Sequence, residues 1–216
     1  PIICTYHGQD MRTRGVIKEL DQISDLNLTS EVDLLAKHPS IEYLFLPYNT
    51  THYDINRNIS DPIKVCHSPT NRYYKGSEDI IKVCNELERE GVIQFLLIEK
   101  KTQEEVIRIK ENCDIYIDQI HNRGGWGYGM SSIESLSMGL VCMTEMIDKY
   151  RNFIPDHPFI EINKSTLKKK ITILSKNKEI LMQKKIESKE WVKKYHDIES
   201  VCSSLYSYYE KNSWMK

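Results

Sequence analysis

The sequence contains no uninterrupted apolar run near the length a bilayer crossing needs, and no basic-then-apolar leader opens it. It also lacks any C-x-x-C pair. Cys4, Cys66, Cys84, Cys113, Cys142 and Cys202 stand far apart, several of them inside apolar runs at 64–67 and 140–143. That pattern argues against zinc ligation and a disulfide framework, and reads as small buried hydrophobes in a reducing compartment. No metal ion is expected. Charge of one sign is missing too: 30 basic against 31 acidic side chains leave a net charge of -1, so nucleic acid is not an expected partner. No pair of carboxylates stands out as the acid and base of a hydrolase. What is present, 40% apolar and 28% charged residues in 216, suffices for one large domain, or one whole domain and part of another.

Along the chain, strands and helices alternate. Residues 1–6 form a short apolar run ending in the polar turn His7-Gly8-Gln9-Asp10. Residues 11–62 are less regular, with one short strand expected at 43–46 before Pro47 and a polar linker up to Pro62. From Ile63 the rhythm is clear. Strands are expected at 63–67, 93–98, 114–120, 140–143 and 159–162. Between them, Ser77 is expected to cap a helix carrying Ile80, Val83, Cys84 and Leu87, closed by Gly91. Thr102 and Glu105 form a capping box for a helix with Val106 and Ile109 inward. Ile133, Leu136 and Ser137 face inward on a third helix, closed by Gly139. This predicts an α/β fold with a doubly wound parallel sheet.

From Lys164 the chain turns helical and lysine-rich, with eleven lysines up to Lys194 against Glu179, Glu187 and Glu190. Over a stripe of Leu167, Ile171 and Leu174 this reads as a solvated helix face, or as a surface attracted to anionic lipid. Residues 198–209 predict an amphipathic closing helix. The expected location is the cytoplasm, with peripheral attachment at the inner membrane face as the variant the lysines allow.

The most informative stretch runs from Asp118-Gln119 through Gly124-Gly125-Trp126-Gly127-Tyr128-Gly129 to Met130-Ser131-Ser132-Ile133-Glu134. It is a strand end, a glycine loop and a helix start with small residues in its first turn. Free amides and the positive end of the helix dipole suit a diphosphate there. Glu134, about one turn in, can accept hydrogen bonds from two vicinal ribose hydroxyls.

This stretch resembles the donor-site signature of GT-B glycosyltransferases of the group 1 (family 4-like) type, which includes many sucrose, glycogen and lipid-linked sugar synthases. That signature is a Glu, seven residues and a second Glu, with G-x-G between and "EAMA-x-G" after. Glu134-Ser135-Leu136-Ser137-Met138-Gly139 matches its second half, whereas Trp126 stands where the first Glu would be. A subgroup carrying "D-Q … G-W-Y-G … E-A-M" shares that departure. Upstream, Arg72-Tyr73-Tyr74-Lys75-Gly76 with Asp79 is similar to the family's "G-R … K-G … D" turn. Lys75 falls at the lysine position and Pro69 at the arginine position, so Arg72 is the nearest replacement. His7-Gly8-Gln9-Asp10-Met11-Arg12 is similar to the "H-G-S-D-x-R" turn of the N-terminal domain, with Asp10 and Arg12 expected to shape it.

The resemblance implies a GT-B fold, with residues 1–62 as the tail of an acceptor-side domain and linker. Residues 63–197 would be the nucleotide-sugar-binding domain, and 198–216 a helix crossing back. It implies transfer of a hexose from a UDP- or GDP-sugar to a glycan, lipid or protein acceptor, retaining and metal-independent, in polysaccharide biosynthesis. The sugar nucleotide is a substrate, and no cofactor is expected. His7 would contact the donor sugar as the catalytic-side residue. Arg72, Lys75, Gly127, Gly129, Met130, Ser131, Ser132 and Glu134 would bind the donor. A full N-terminal domain is missing, so the chain is expected to be a fragment or partial gene product. A GT-B-fold sugar-nucleotide epimerase or hydrolase, and a non-catalytic nucleotide-sugar-binding domain, are the alternatives.

Overall fold

The computed structural model describes residues 1–154 and 156–215. In chain order the elements are β1 (Ile3–Tyr6), α1 (Gly8–Arg14), α2 (Lys18–Asp21), β2 (Leu26–Thr29), β3 (Ile41–Tyr43), β4 (Ile63–His67), α3 (Arg72–Lys75) and α4 (Ser77–Arg89). There follow β5 (Ile93–Leu97), α5 (Gln103–Lys110), β6 (Ile115–Ile117), α6 (Met130–Ser137), β7 (Val141–Thr144), β8 (Ile160–Glu161), α7 (Leu167–Ser175), α8 (Lys178–His196) and α9 (Ile198–Lys211). Two compact units result: Pro1–Asn49 with Lys194–Lys216, and Thr50–Lys193. Residues 50–62 therefore cluster with the strands that follow them, and α9 with the strands at the start of the chain.

The first unit is built on a parallel sheet ordered β1-β2-β3. Tyr6, Met11, Leu34 and Ile41 form its core. The strand expected at 43–46 lies at Ile41–Tyr43 instead. The apolar run after it packs on the end of α8 and does not extend the sheet. The Phe45 ring lies 5.2 Å from Tyr195 and 5.0 Å from His196, and the Leu46 carbonyl accepts from His196 Nδ1 at 2.7 Å. Asp197 caps α9, and Tyr208 donates to the Tyr43 carbonyl at 2.8 Å.

The second unit is the doubly wound sheet, five parallel strands ordered β5-β4-β6-β7-β8. Its central strands are buried on both faces, which is why Ile115, Tyr116, Ile117 and 141–144 read as continuous runs without alternation. Ile80, Cys84 and Leu87 from α4, and Leu167, Ile171 and Leu174 from α7, join Ile63, Val65 and Ile93 in one core. Fully buried aliphatic side chains of this kind each contribute about 1.5–3 kcal/mol. The capping box of Thr102 and Glu105 is present, and all six cysteines are free.

The order places a topological switch between β4 and β6. From β4 the chain winds to β5 on one side, then returns past β4 to β6 and continues outward. Loops leaving β4 and β6 therefore diverge at their carboxyl ends and open a crevice there, the usual ligand position in such sheets.

Gly76 shapes one wall of this crevice. It joins α3 to α4 at φ 65°, and a Cβ on it would lie 2.6 Å from the Ile120 carbonyl oxygen and 2.7 Å from the Ile120 side chain. This glycine, not Ser77, is the N-cap of α4; Ser77 sits buried as the first helical residue. The close approach lets the Lys75 carbonyl accept from the Ile120 amide at 3.1 Å, which brings Lys75 beside β6. Gly76→Ala is expected to destabilise the unit by about 2–4 kcal/mol, combining left-handed strain with a backbone clash. Urea unfolding should show a lowered midpoint at unchanged slope, and a midpoint equal to wild type would exclude this role.

Candidate functional site

Asp118, one residue beyond β6 and with no exposed surface, is the hinge of the site. One carboxylate oxygen accepts from Ser132 Oγ at 2.7 Å and the other from the Lys75 ammonium. The turn after β4 and the start of α6 are thus tied through a single carboxylate. An ammonium has three donors. Asp118 takes one and Gln119 Oε1 lies within 3.5 Å of it, so Lys75 is aimed by β6 with donor capacity remaining.

Gly129 is the N-cap of α6; its carbonyl accepts from the Ser132 amide at 3.0 Å, but, lacking a side chain, it offers the first-turn amides no side-chain acceptor. Met130 is exposed beside this end. Ser131 Oγ lies 2.8 Å from the Tyr116 hydroxyl, 2.8 Å from Lys110 Nζ and 3.5 Å from Ser68 Oγ at the end of β4. Burial first, then the Asp118 charge, push the Tyr116 phenol far up, so it remains protonated. Beneath this layer, His67 donates through Nδ1 to the Ile117 carbonyl at 2.8 Å, so its Nε2 accepts from Ser77 Oγ, also at 2.8 Å. Burial lowers its pKa to about 4.

Glu134 is buried, in the wall of a pocket of about 530 Å³ that also contains Ser68, Gln103, Lys110, Met130 and Ser131. Its Oε1 accepts from Lys110 Nζ at 2.7 Å and its Oε2 from Gln103 Nε2 at 2.5 Å. Sequence reasoning missed Lys110. It gave the inner face of α5 to Val106 and Ile109, which are half-buried, while Lys110 is the fully buried residue of that helix. Asp114 and Lys185 are a second buried pair, 3.2 Å apart, with Asp114 also accepting from the Lys64 amide. Lys185 belongs to the lysine-rich stretch read as a solvated face. Others there are engaged: Lys168 with Glu86 and Glu90, Lys164 with Asp79, and Lys189 with the Thr50, Tyr53 and Ser137 carbonyls.

The remaining residues singled out from the sequence fall elsewhere. Arg72 forms a two-pronged pair with Glu99 at 2.7 and 2.6 Å and reaches Glu78 at 3.1 Å, so its donors face carboxylates and not the Lys75 cluster. That fork holds Glu99 below the usual carboxylate range. The Gly127 carbonyl accepts from Thr144 Oγ1 at 2.6 Å, which pins the glycine loop to β7. Trp126, at the position of the family's first Glu, is buried against Tyr128 with ring centroids 5.0 Å apart, and Tyr128 packs on Phe159 at 4.7 Å. Its side chain anchors the loop in the core. His7, in the first unit, is the exposed N-cap of α1. Arg12 shapes that turn with Glu31 at 2.7 Å and Asp33 at 2.6 Å, and Asp10 is not among these partners. No group of three or more His, Cys, Asp or Glu side chains among the described residues is arranged to hold a metal ion. No helix there is long and apolar enough to cross a membrane.

No protein-family model and no curated protein sequence matches the chain. Solved structures do, and the fold they define is that of the GT-B glycosyltransferases, as the sequence motifs implied. Sucrose-phosphate synthase from Thermosynechococcus elongatus aligns over 97% of this chain and 67% of its own at a TM-score of 0.68 and 9% identity. HepE of Anabaena, solved in complex with UDP, aligns over 98% of this chain and 72% of its own, at 0.70 and 8%. A mutant of S. aureus TarM, solved with Fondaparinux, alpha-GlcNAc-glycerol and UDP, aligns over 95% of this chain at 0.68 and 12%. The chain spans 50% of TarM.

Proposed function

We propose that the chain serves the transfer of a hexose from a nucleoside-diphosphate sugar to a glycan, lipid or protein acceptor, with the second unit holding the donor. The observation that carries this reading is the Lys75–Asp118–Ser132 junction. It joins a lysine turn to a helix N-terminus at the switch point of a GT-B sheet, beside a pocket with Glu134 in its wall. Neighbours of the same fold were solved with UDP, which supports a nucleoside diphosphate as the class of ligand.

In this reading Lys75 and the first-turn amides of α6 take the charge that gathers on the departing nucleoside diphosphate, the part a metal ion plays in other transferases. Glu134 receives the ribose diol. Transfer is proposed to retain configuration, with the leaving diphosphate itself near the attacking hydroxyl. His7 stays part of the proposal as a donor-sugar contact on the strength of its turn alone, and Arg72 as a surface cation beside the pocket.

The test is calorimetric titration with UDP and GDP. Glu134→Gln is expected to weaken the better ligand by about 1–2 kcal/mol, because a charge-assisted bond becomes a neutral one. Glutamine is the informative replacement, since its amide oxygen still accepts from the buried Lys110 ammonium, whereas alanine would leave that ammonium with neither charge nor acceptor from this position. Unchanged affinity in a folded Glu134→Gln protein would remove Glu134 from the site. Acceptor-dependent release of nucleoside diphosphate then separates a transferase from a hydrolase or a binding domain.

A further inference from the structure

The Glu134 carboxylate has two differently built sides. Oε1 faces Lys110, the last residue of α5, whose ammonium also donates to Ser131 Oγ at 2.8 Å and lies 4.4 Å from the Tyr116 ring centroid. The two side chains of this pair are 1% and 6% exposed. Oε2 faces Gln103, the first residue of the same helix and an exposed one, which also lines the pocket. Seven residues apart, Lys110 and Gln103 lie two turns apart on one face of α5 and bracket one carboxylate.

The sides differ in how easily they exchange. Parting Lys110 from Glu134 would leave a buried charge without its counter-charge, so that contact is fixed. The Gln103 contact is a neutral amide at the pocket wall, and a ligand hydroxyl is an equivalent donor. Thr102 and Glu105 hold the start of α5 by their own capping box. Gln103 can therefore leave by side-chain rotation with its helix in place.

We propose that Lys110 is the positioning residue that presents Glu134 to the vicinal diol of a bound nucleotide. Gln103 stands in for that diol on Oε2, so a nucleotide binds by displacing it. This rests on the reading of Glu134 as the ribose acceptor. It makes removal of two side chains on one helix act in opposite directions.

Calorimetric titration of the folded chain with UDP or GDP, whichever binds wild type more tightly, tests it. Gln103→Ala is expected to tighten binding about three- to tenfold, because a competitor is removed. Lys110→Met is expected to weaken it about tenfold or more, yet to change it less than about twofold in the Glu134→Gln background, where no carboxylate remains to be positioned. A merely structural lysine would lower the melting temperature and cost the same factor in both backgrounds. Where Lys110→Met does not fold, Lys110→Gln and the Lys110→Met, Glu134→Gln double variant, in which no bare carboxylate is buried, carry the same comparison. Equal losses in both backgrounds overturn the positioning role, and a Gln103→Ala protein that binds no tighter overturns the displacement. Wild type binding neither nucleotide, or Glu134→Gln binding as wild type does, sinks the ribose reading and this inference with it, and is distinguishable from both.

Discussion

In the proposed transfer reaction, Lys75→Met is expected to lower the rate by about 10²–10³-fold, mostly in kcat, as the loss of one preorganised donor to a developing charge does. The charge on a nucleoside diphosphate grows as its bond to the sugar breaks. A cation placed there therefore binds the transition state more strongly than the bound donor, and its removal lowers kcat more than it raises KM. Asp118 is what makes the placement rigid, because it has no exposed surface and is itself held by Ser132. Methionine leaves that carboxylate with Ser132 and the Tyr116 hydroxyl alone, so stability falls as well. Lys75→Met combined with Asp118→Asn removes both charges together and separates the two effects. It should recover stability without recovering kcat. A folded Lys75→Met protein whose kcat stays within about threefold of wild type would take Lys75 out of the reaction.

Periodicity made the second unit legible. Continuous runs at β6 and β7 mark strands buried on both faces, and Thr102 with Glu105 and Gly91 mark helix ends through local hydrogen bonding and left-handed backbone. Those signals span four residues or so, and the physics behind them is equally local. The contents of the site obey a different rule. Lys110 looks like the solvated end of an amphipathic helix, and nothing within α5 says that a carboxylate 24 residues later neutralises it. Lys185 and Asp114 meet across 71 residues in the same way. Arg72 was read as a diphosphate cation because it is the nearest arginine in sequence, but Glu99, 27 residues on, takes its fork. Ser77 has the chemistry of an N-cap, but the chain turns at Gly76 and leaves the serine hydroxyl facing His67. A charged or hydroxyl side chain follows its three-dimensional partner, and a lone sequence does not name that partner. The motif resemblance pointed to a candidate site, and the hydrogen bonds inside it had to come from the fold.

Acidification from pH 7 to pH 4 is expected to remove on the order of 3 kcal/mol of stability through His67, and a similar amount through His196. Both are buried, and burial lowers each to about 4 from an ordinary 6.5. A histidine lowered in this way is neutral when folded but takes up a proton when unfolded. Its contribution is complete above pH 6.5 and drains away as the pH falls towards 4. At pH 5 about 2 kcal/mol per group is already gone. Carboxylates held low by ion pairs, such as Asp79 with Lys164 and Glu86 with Lys168, lose their contributions only below their ordinary values of 3.8 and 4.5. Glu31, raised by burial, gains stability as the pH falls, one group against His67, His196 and His157, which burial also lowers. His67 belongs to the second unit and His196 to the first, so each reports on its own unit. Urea unfolding at pH 7, 6 and 5 measures the slope. His67→Gln keeps an amide that can donate to the Ile117 carbonyl and accept from Ser77, without a group that titrates. That variant should lose about 2 kcal/mol less than wild type between pH 7 and pH 5. A slope unaltered by His67→Gln would show that the imidazole is not held neutral in the folded chain, and with it that the floor beneath the Lys75–Asp118 junction is not dry.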